Sequence, residues 1–257
     1  IADGETFPAS SQPEFAQAQL EFKIQIAMVR LGRLAKLGSV GPEYFKTPGG
    51  ANLLQATLGD AILEIARAID LQLQQLNALT AKQFPSLGDI VATTNNTYAN
   101  INRAVSAYWQ PNVNSNGGVN RSLTRALIDD VLDTVKNIRG ASPDVIWSGT
   151  TAWNALRDLE GDKVQYDGSM QLQLGTTVIS LDGIPVAKMP RMDANAMFFL
   201  DTQSDGEESL VYVKQHDEDF LIQQEASGSY SDLHSVAHHS TLKCKCPWRQ
   251  GALLDVQ

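Results

Sequence analysis

One apolar stripe constrains this chain more than any other feature. In ANLLQATLGDAILEIARAIDLQLQQLNAL, from Ala51 to Leu79, residues Leu54, Leu58, Ile62, Ile65, Ile69, Leu73 and Leu76 follow one another at steps of 4, 4, 3, 4, 4 and 3. Such steps keep all seven on one face of an α-helix. At 1.5 Å per residue the helix is expected to run for about 40 Å. Asp60, Glu64, Arg67 and Gln74 fall mainly off the stripe. Spacing alone fits a core helix of a mixed fold or one strand of a coiled coil.

A second constraint is the unit around IRGASPDVIWSG, Ile138 to Gly149. Leu127, Val131, Val135 and Ile138 recur at helical spacing, with Lys136 and Arg139 in the last turn and Gly140 after them. That is a helix stopped by a glycine C-cap. Pro143 and Asp144 prevent its continuation. Val145, Ile146 and Trp147 are apolar on both faces, as in a strand covered on both sides. Ser148, Gly149, Thr150 and Thr151 then lead into a helix carrying Trp153, Leu156 and Leu159, expected to be capped by a hydroxyl.

The rest of the chain is less regular. Residues 1–19, rich in Pro, Ser, Gln and Ala, read as an extended arm. Residues 20–50 fit two patterns: Phe22, Ile24, Ile26 and Met28 alternate as in a strand, whereas Leu20, Ile24, Met28 and Leu31 suit a helix. The glycines at 32, 38 and 41, Pro42 and the TPGG at Thr47 favour an extended, looping segment. The stretch from Phe84 to about residue 120 is dense in Asn, Thr and Gly and reads as loops and short strands. Asp182-Gly183, set between two short apolar runs, is a two-residue hairpin signal. NAMFFLDT, SLVYVKQ, FLIQQ and HSTLKCKCPWRQGALLDV read as further strands.

Known chemistry finds little support in the residues. A net charge of -9 over 257 residues argues against tight, sequence-independent binding to phosphate backbones. No apolar run reaches the ~18 residues of a membrane-spanning helix, and no secretory signal opens the sequence. Cys244 and Cys246 sit one residue apart, a poor geometry for a disulfide with each other and the wrong spacing for zinc, so free thiols in a reducing compartment are expected. The four histidines, His216, His234, His238 and His239, lack an HExxH pattern, and no metal site is expected from them. GxxxxGK[ST] and GxGxxG are absent, and Ile146 stands where a GxSxG elbow needs its first glycine.

Four phrases in order carry a resemblance: NINRAVSAYWQ (Asn100 to Gln110), IRGASPDVIWSGTTAWNAL (Ile138 to Leu156), LDGIPVAKMPRMDANAMFFLD (Leu181 to Asp201) and LKCKCPWRQGALL (Leu242 to Leu254). Over about residues 50–257 the chain resembles the major capsid protein of tailed double-stranded DNA bacteriophages, the Hong Kong phage-type fold shared with encapsulins. The resemblance implies an α+β fold with an N-terminal arm (1–19), an extended loop overlapping a neighbouring subunit (20–50), and a peripheral domain holding the spine helix and a crossing (51–114). A compact α/β axial domain (115–203) and a return to the peripheral domain (204–257) follow. It implies a structural subunit, not an enzyme, with neither cofactor nor metal. Hexamers and pentamers would form an icosahedral shell in the virion, enclosing DNA without sequence-specific binding and without a membrane. Assembly in the host cytoplasm with portal, scaffold and decoration proteins would follow, and Ile1 would lie after a maturation cleavage. The family's Lys-to-Asn cross-link has candidates by region alone, at Lys23, Lys36 and Lys46.

A shell subunit works by interface area. Trp109 and Trp248 are candidate interface anchors, and Arg103 and Arg249 are candidates for pairing with acids across subunits. Burial in their own domain for the tryptophans, and solvated surface for the arginines, are the competing readings; for Trp153 burial is favoured. An encapsulin-type nanocompartment is the alternative function. An unrelated enzyme with metal at His216 or His234 is a third.

Overall fold

The computed structural model of the protein describes residues 17–32, 53–76, 82–92, 94, 96–138, 140–160, 178–204, 207–215, 219–225 and 231–257. Expectations for residues 1–16 and 33–50, the cleavage at Ile1, and the site at His216 lie outside these residues.

Strand β1 (Lys23–Gly32) precedes the long helix α1 (Leu53–Gln74), a short helix α2 (Leu87–Val91), the hairpin β2 (Thr97–Tyr98) and β3 (Ile101–Asn102), and β4 (Asn112–Asn114). Next come α3 (Arg125–Asp133), β5 (Val145–Ser148), α4 (Thr150–Glu160), β6 (Val178–Leu181), β7 (Ile184–Lys188) and β8 (Met197–Leu200). Strands β9 (Gln203–Ser204), β10 (Glu207–Glu208), β11 (Leu210–Lys214), β12 (Leu221–Glu225), β13 (Ser231–Cys244) and β14 (Gly251–Leu253) complete the chain.

A six-stranded sheet, in the order β4-β14-β8-β5-β7-β6, carries most of the core. Ile146 of β5 lies opposite Phe199 of β8 and Val186 of β7, and all three face α3 and α4, where Ile128, Val131, Trp153 and Leu156 are buried. The next residues along, Trp147, Phe198 and Ala187, face the other core. A strand covered on both sides must be apolar at successive positions, as β5 is. Each fully buried large side chain contributes about 2 kcal/mol through its removal from water. Gly251 is needed where α3 meets the sheet: a Cβ there would come within 2.9 Å of Val135 Cγ2.

Helix α3 ends as expected, through a π-helical turn at Thr134–Ile138 and Gly140 at φ 64°. The start of α4 differs from expectation. Gly149, not a hydroxyl residue, precedes it, and the N–H groups of Thr151 and Ala152 both donate to the carbonyl of Ala194 at 2.9 Å. The loop supplying that carbonyl presses so closely that a Cβ on Gly149 would lie 1.9 Å from the Asp193 oxygen. A backbone acceptor from a distant segment thus does the work of a cap.

The expected hairpin is present: Asp182 and Gly183 have φ of 51° and 81° between β6 and β7, the geometry of a primed two-residue turn. Arg125 at the start of α3 pairs with Asp182, tying the turn to the helix.

The second sheet is built around β13, with β1 on one edge and β11 and β12 on the other. Helix α1 bridges both bodies. Leu58, Ile62 and Ile65 of its stripe pack with Val29 and Val236 of this sheet, while Ile69 and Leu73, and Leu76 two residues beyond the helix end, join the core beneath the six-stranded sheet. The side chain of Leu54 lies outside the described set. Strands β4 and β14 belong to the same sheet as strands drawn from residues 145–200, so that sheet gathers chain from three separate stretches.

Candidate assembly surface

The four residues expected at interfaces fall in two clusters near the C-terminus. The first begins at α2, where Ser86 and Asp89 form a reciprocal capping box. This fixes the Asp89 carbonyl, which accepts a 2.7 Å hydrogen bond from Arg103 Nη1; the same nitrogen donates to Asn96 Oδ1 at 3.2 Å. Arg103 is fully buried, its guanidinium 4.9 Å from the centre of the Tyr98 ring. Burial lowers its pKa to about 10, so it remains charged at neutral pH.

Tyr98 extends the cluster to the end of β13. Its hydroxyl accepts from the Cys244 N–H at 2.7 Å and donates to the Leu242 carbonyl at 3.4 Å. Burial pushes the Tyr98 phenol far up and the Cys244 thiol to about 12, leaving both neutral. Trp109 is buried too: it stacks on Tyr98, donates from Nε1 to the Tyr98 carbonyl at 3.2 Å, and has Trp248 against it with ring centres 6.0 Å apart. Trp248 keeps part of its surface open.

Arg249 lies in the second cluster. Its Nε donates to Asp201 Oδ2 at 2.7 Å, and Asp201 is 1% exposed. Gln250 brackets the same residue, accepting from the Asp201 N–H and donating to its carbonyl, each at 2.9 Å. Burial raises the Asp201 pKa, while the hydrogen bond and charge of Arg249 pull it down. Arg103 and Arg249 therefore find acceptors inside their own chain. The capping box at Ser86 could have flagged α2 from sequence; no local signal foretells the burial of Arg103.

His238 has a structural role. His238 is buried on β13, with Tyr212 Oη 2.7 Å from Nε2 and Nδ1 facing the Asp219 carbonyl. A carbonyl can only accept, so Nδ1 bears a proton and donates to it. Among the described residues no group of three His, Cys, Asp or Glu side chains could hold a metal, and no helix is long and apolar enough to cross a membrane. Cys244 and Cys246 are free thiols, one buried and one partly so.

The surface shows a different feature. On β1, Gln25, Ala27 and Val29 turn toward α1, while Ile24, Ile26 and Met28 on the opposite face are 52%, 56% and 68% exposed. Val105, Tyr108 and Val119 are also exposed. Large apolar side chains left in water in a row mark contact surfaces.

Two packed sheets bridged by one long helix, with an apolar strand face turned outward, define a protein that acts through its surfaces. The model of the SU10 major capsid protein family matches residues 42–253, and the chain belongs to that family. It is a structural subunit, many copies of which build the icosahedral capsid shell of a bacteriophage. The fold is that of the capsid of cyanophage A-1(L), with a TM-score of 0.66 at 14% identity over 91% of this chain and 77% of that one. It is also that of the SrpI encapsulin of Synechococcus elongatus PCC 7942 (0.63, 12%, 92% and 74%) and of the capsid of a GTA particle (0.56, 11%, 99% and 81%). No curated protein sequence matches the chain.

Proposed function

We propose that the subunit assembles as hexamers and pentamers into a closed shell around double-stranded phage DNA, in the host cytoplasm, with portal and scaffold proteins and with decoration proteins on the outside. The family match over residues 42–253 carries this reading. The subunit performs no catalysis of its own. Each copy touches several neighbours at once, so weak individual contacts suffice to hold a closed assembly. In this reading α1 is the spine of a peripheral domain that spans 51–114 and resumes at 204–257, and residues 115–203 form the axial domain. Trp248 and Arg249, which keep some surface open, lie at or beside subunit contacts; Arg103 and Trp109 support them from within. A net charge of -9 suits a container that must release its DNA, since a basic wall would hold phosphate.

The encapsulin neighbour shares the fold almost as closely as the cyanophage capsid, so the contents of the shell separate the two readings. Particles recovered from infected cells and treated with nuclease should retain double-stranded DNA. Particles holding a folded enzyme and no DNA would contradict the reading and favour the compartment.

A further inference from the structure

The crossing between β3 and β4 presents an apolar tip with no charge on it. From Ala104 to Asn120 there is no acidic, basic or histidine residue, the longest such stretch in a chain that carries 29 acidic and 20 basic side chains. Ala104, Val105, Ala107 and Tyr108 are exposed, and Val105, at 82%, is the most open large apolar side chain among the described residues. The tip is nonetheless firmly held. The N–H groups of Val105 and Ser106 donate to the Asn102 carbonyl at 3.3 and 3.1 Å, and the Ala104 N–H donates to Asn102 Oδ1 at 3.0 Å. Gln110 Nε2 reaches back to the Arg103 carbonyl at 2.6 Å, and the Trp109 N–H closes the turn on the Ser106 carbonyl at 2.9 Å. Buried Trp109 anchors the turn, with Trp248 against its ring. Arg103, the charge that precedes the tip in sequence, is fully buried. An apolar group fixed in one shape and left in water is prepared for a contact outside its own subunit, because little order remains to be lost on binding.

We propose that this tip is a contact between copies of the chain at a rotation axis of the assembly, where Val105 and Tyr108 of one copy meet the same residues of its neighbours. The proposal rests on the shell reading and assigns one of its surfaces. At a rotation axis identical segments come together, so a charge placed there faces a like charge. A chain with a net charge of -9 repels its own copies wherever its acidic surfaces are brought together. The uncharged tip escapes that repulsion, and its apolar side chains gain by leaving water. Tyr108 adds a ring whose hydroxyl can bond a neighbouring copy or water at the edge of the contact. The other exposed apolar row, Ile24, Ile26 and Met28, is bracketed in sequence by Lys23 and Arg30, so a surface of opposite charge can select it. Ala104 to Tyr108 offer no such handle, and a matching uncharged surface is the partner they fit.

The test uses the full chain. Val105→Asp and Val105→Lys should each leave the melting temperature of the unassembled subunit unchanged, because the side chain is already in water. Each should raise the concentration needed for assembly by about tenfold or more, as read by light scattering. Both signs fail for one reason: every copy carries the charge that its neighbour carries. An equimolar mixture of the two variants should therefore assemble at a lower concentration than either alone, since unlike charges now meet. If the variants lower the melting temperature, Ala107→Asp and Ala107→Lys, at a second exposed position of the tip, take their place. Parental assembly by either variant would overturn the proposal by placing the tip outside every contact. A mixture no better than its components would overturn it too, since the tip would then meet some other surface. The parent, measured alongside, reports separately on the shell reading: a parent that never assembles sinks that reading, and the variants judge the tip against a parent that does.

Discussion

The guanidinium of Arg103 lies over the ring of Tyr98, 4.9 Å from its centre, with both residues buried and a 2.7 Å bond from Arg103 to the Asp89 carbonyl. One side chain thereby joins α2, the β2–β3 hairpin and, through the Tyr98 hydroxyl, the end of β13. Arg103→Ala leaves the Asp89 carbonyl with Asn96 Nδ2 alone as side-chain donor, removes the cation over the Tyr98 ring and opens a cavity, and should cost about 3 kcal/mol of subunit stability in urea unfolding. Arg103→Lys keeps the charge but loses the planar stack and should fall between. A loss below about 0.5 kcal/mol for the alanine variant, the range of ordinary surface changes, would show that the clamp is not needed.

Gly149 and Gly140 provide a matched contrast. Gly149→Ala drives a Cβ into the Asp193 carbonyl and should cost about 3 kcal/mol or more, with loss of order at the start of α4. Gly140 sits in open space at φ 64°, so Gly140→Ala meets backbone strain alone and should cost about 1 kcal/mol. Thermal unfolding of both variants checks the order.

Asp201 makes a signed pH statement. Its folded pKa is raised above 3.8 by burial, so the folded state holds the proton more tightly than the unfolded state does. Its contribution to stability is fully present below 3.8 and declines as pH rises through the folded value. Asp201→Asn cannot titrate. The melting temperature of that variant minus that of the parent should therefore grow more positive from below pH 4 to above the folded value. A difference that stays flat or falls would show that Arg249 outweighs burial.

The outward face of β1 separates folding from assembly. Met28→Ser removes an apolar group that is already 68% exposed, so subunit stability should change by no more than about 0.5 kcal/mol. The concentration needed for assembly should rise several-fold, as read by light scattering.

The stripe on α1 was legible because one periodic pattern served both cores: the described positions from Leu58 to Leu76 all pack inward. The Asp182-Gly183 turn was legible for a local reason, since few other pairs accept two positive φ angles. β1 was ambiguous because its strongest alternation, Ile24, Ile26 and Met28, marks the face turned to solvent, while the core side carries Gln25, Ala27 and Val29. An apolar alternation turned to solvent does not identify a strand's own core. The five-residue α2 is too short for a period to emerge, and its capping box uses Asp where Glu or Gln is usual. Charge alone gave Arg103 and Arg249 the look of solvent- or partner-facing arginines; only tertiary contacts from Asp89 and Tyr98 make the burial of Arg103 tolerable, and Asp201 holds the half-buried Arg249.

The most direct measurement is electron microscopy of the purified chain, alone and with a phage scaffold protein, run beside light scattering for mass. Closed icosahedral shells, or pentamers and hexamers that convert to them, are expected. A folded subunit that remains monomeric or dimeric under both conditions would contradict the central claim that this protein builds a capsid.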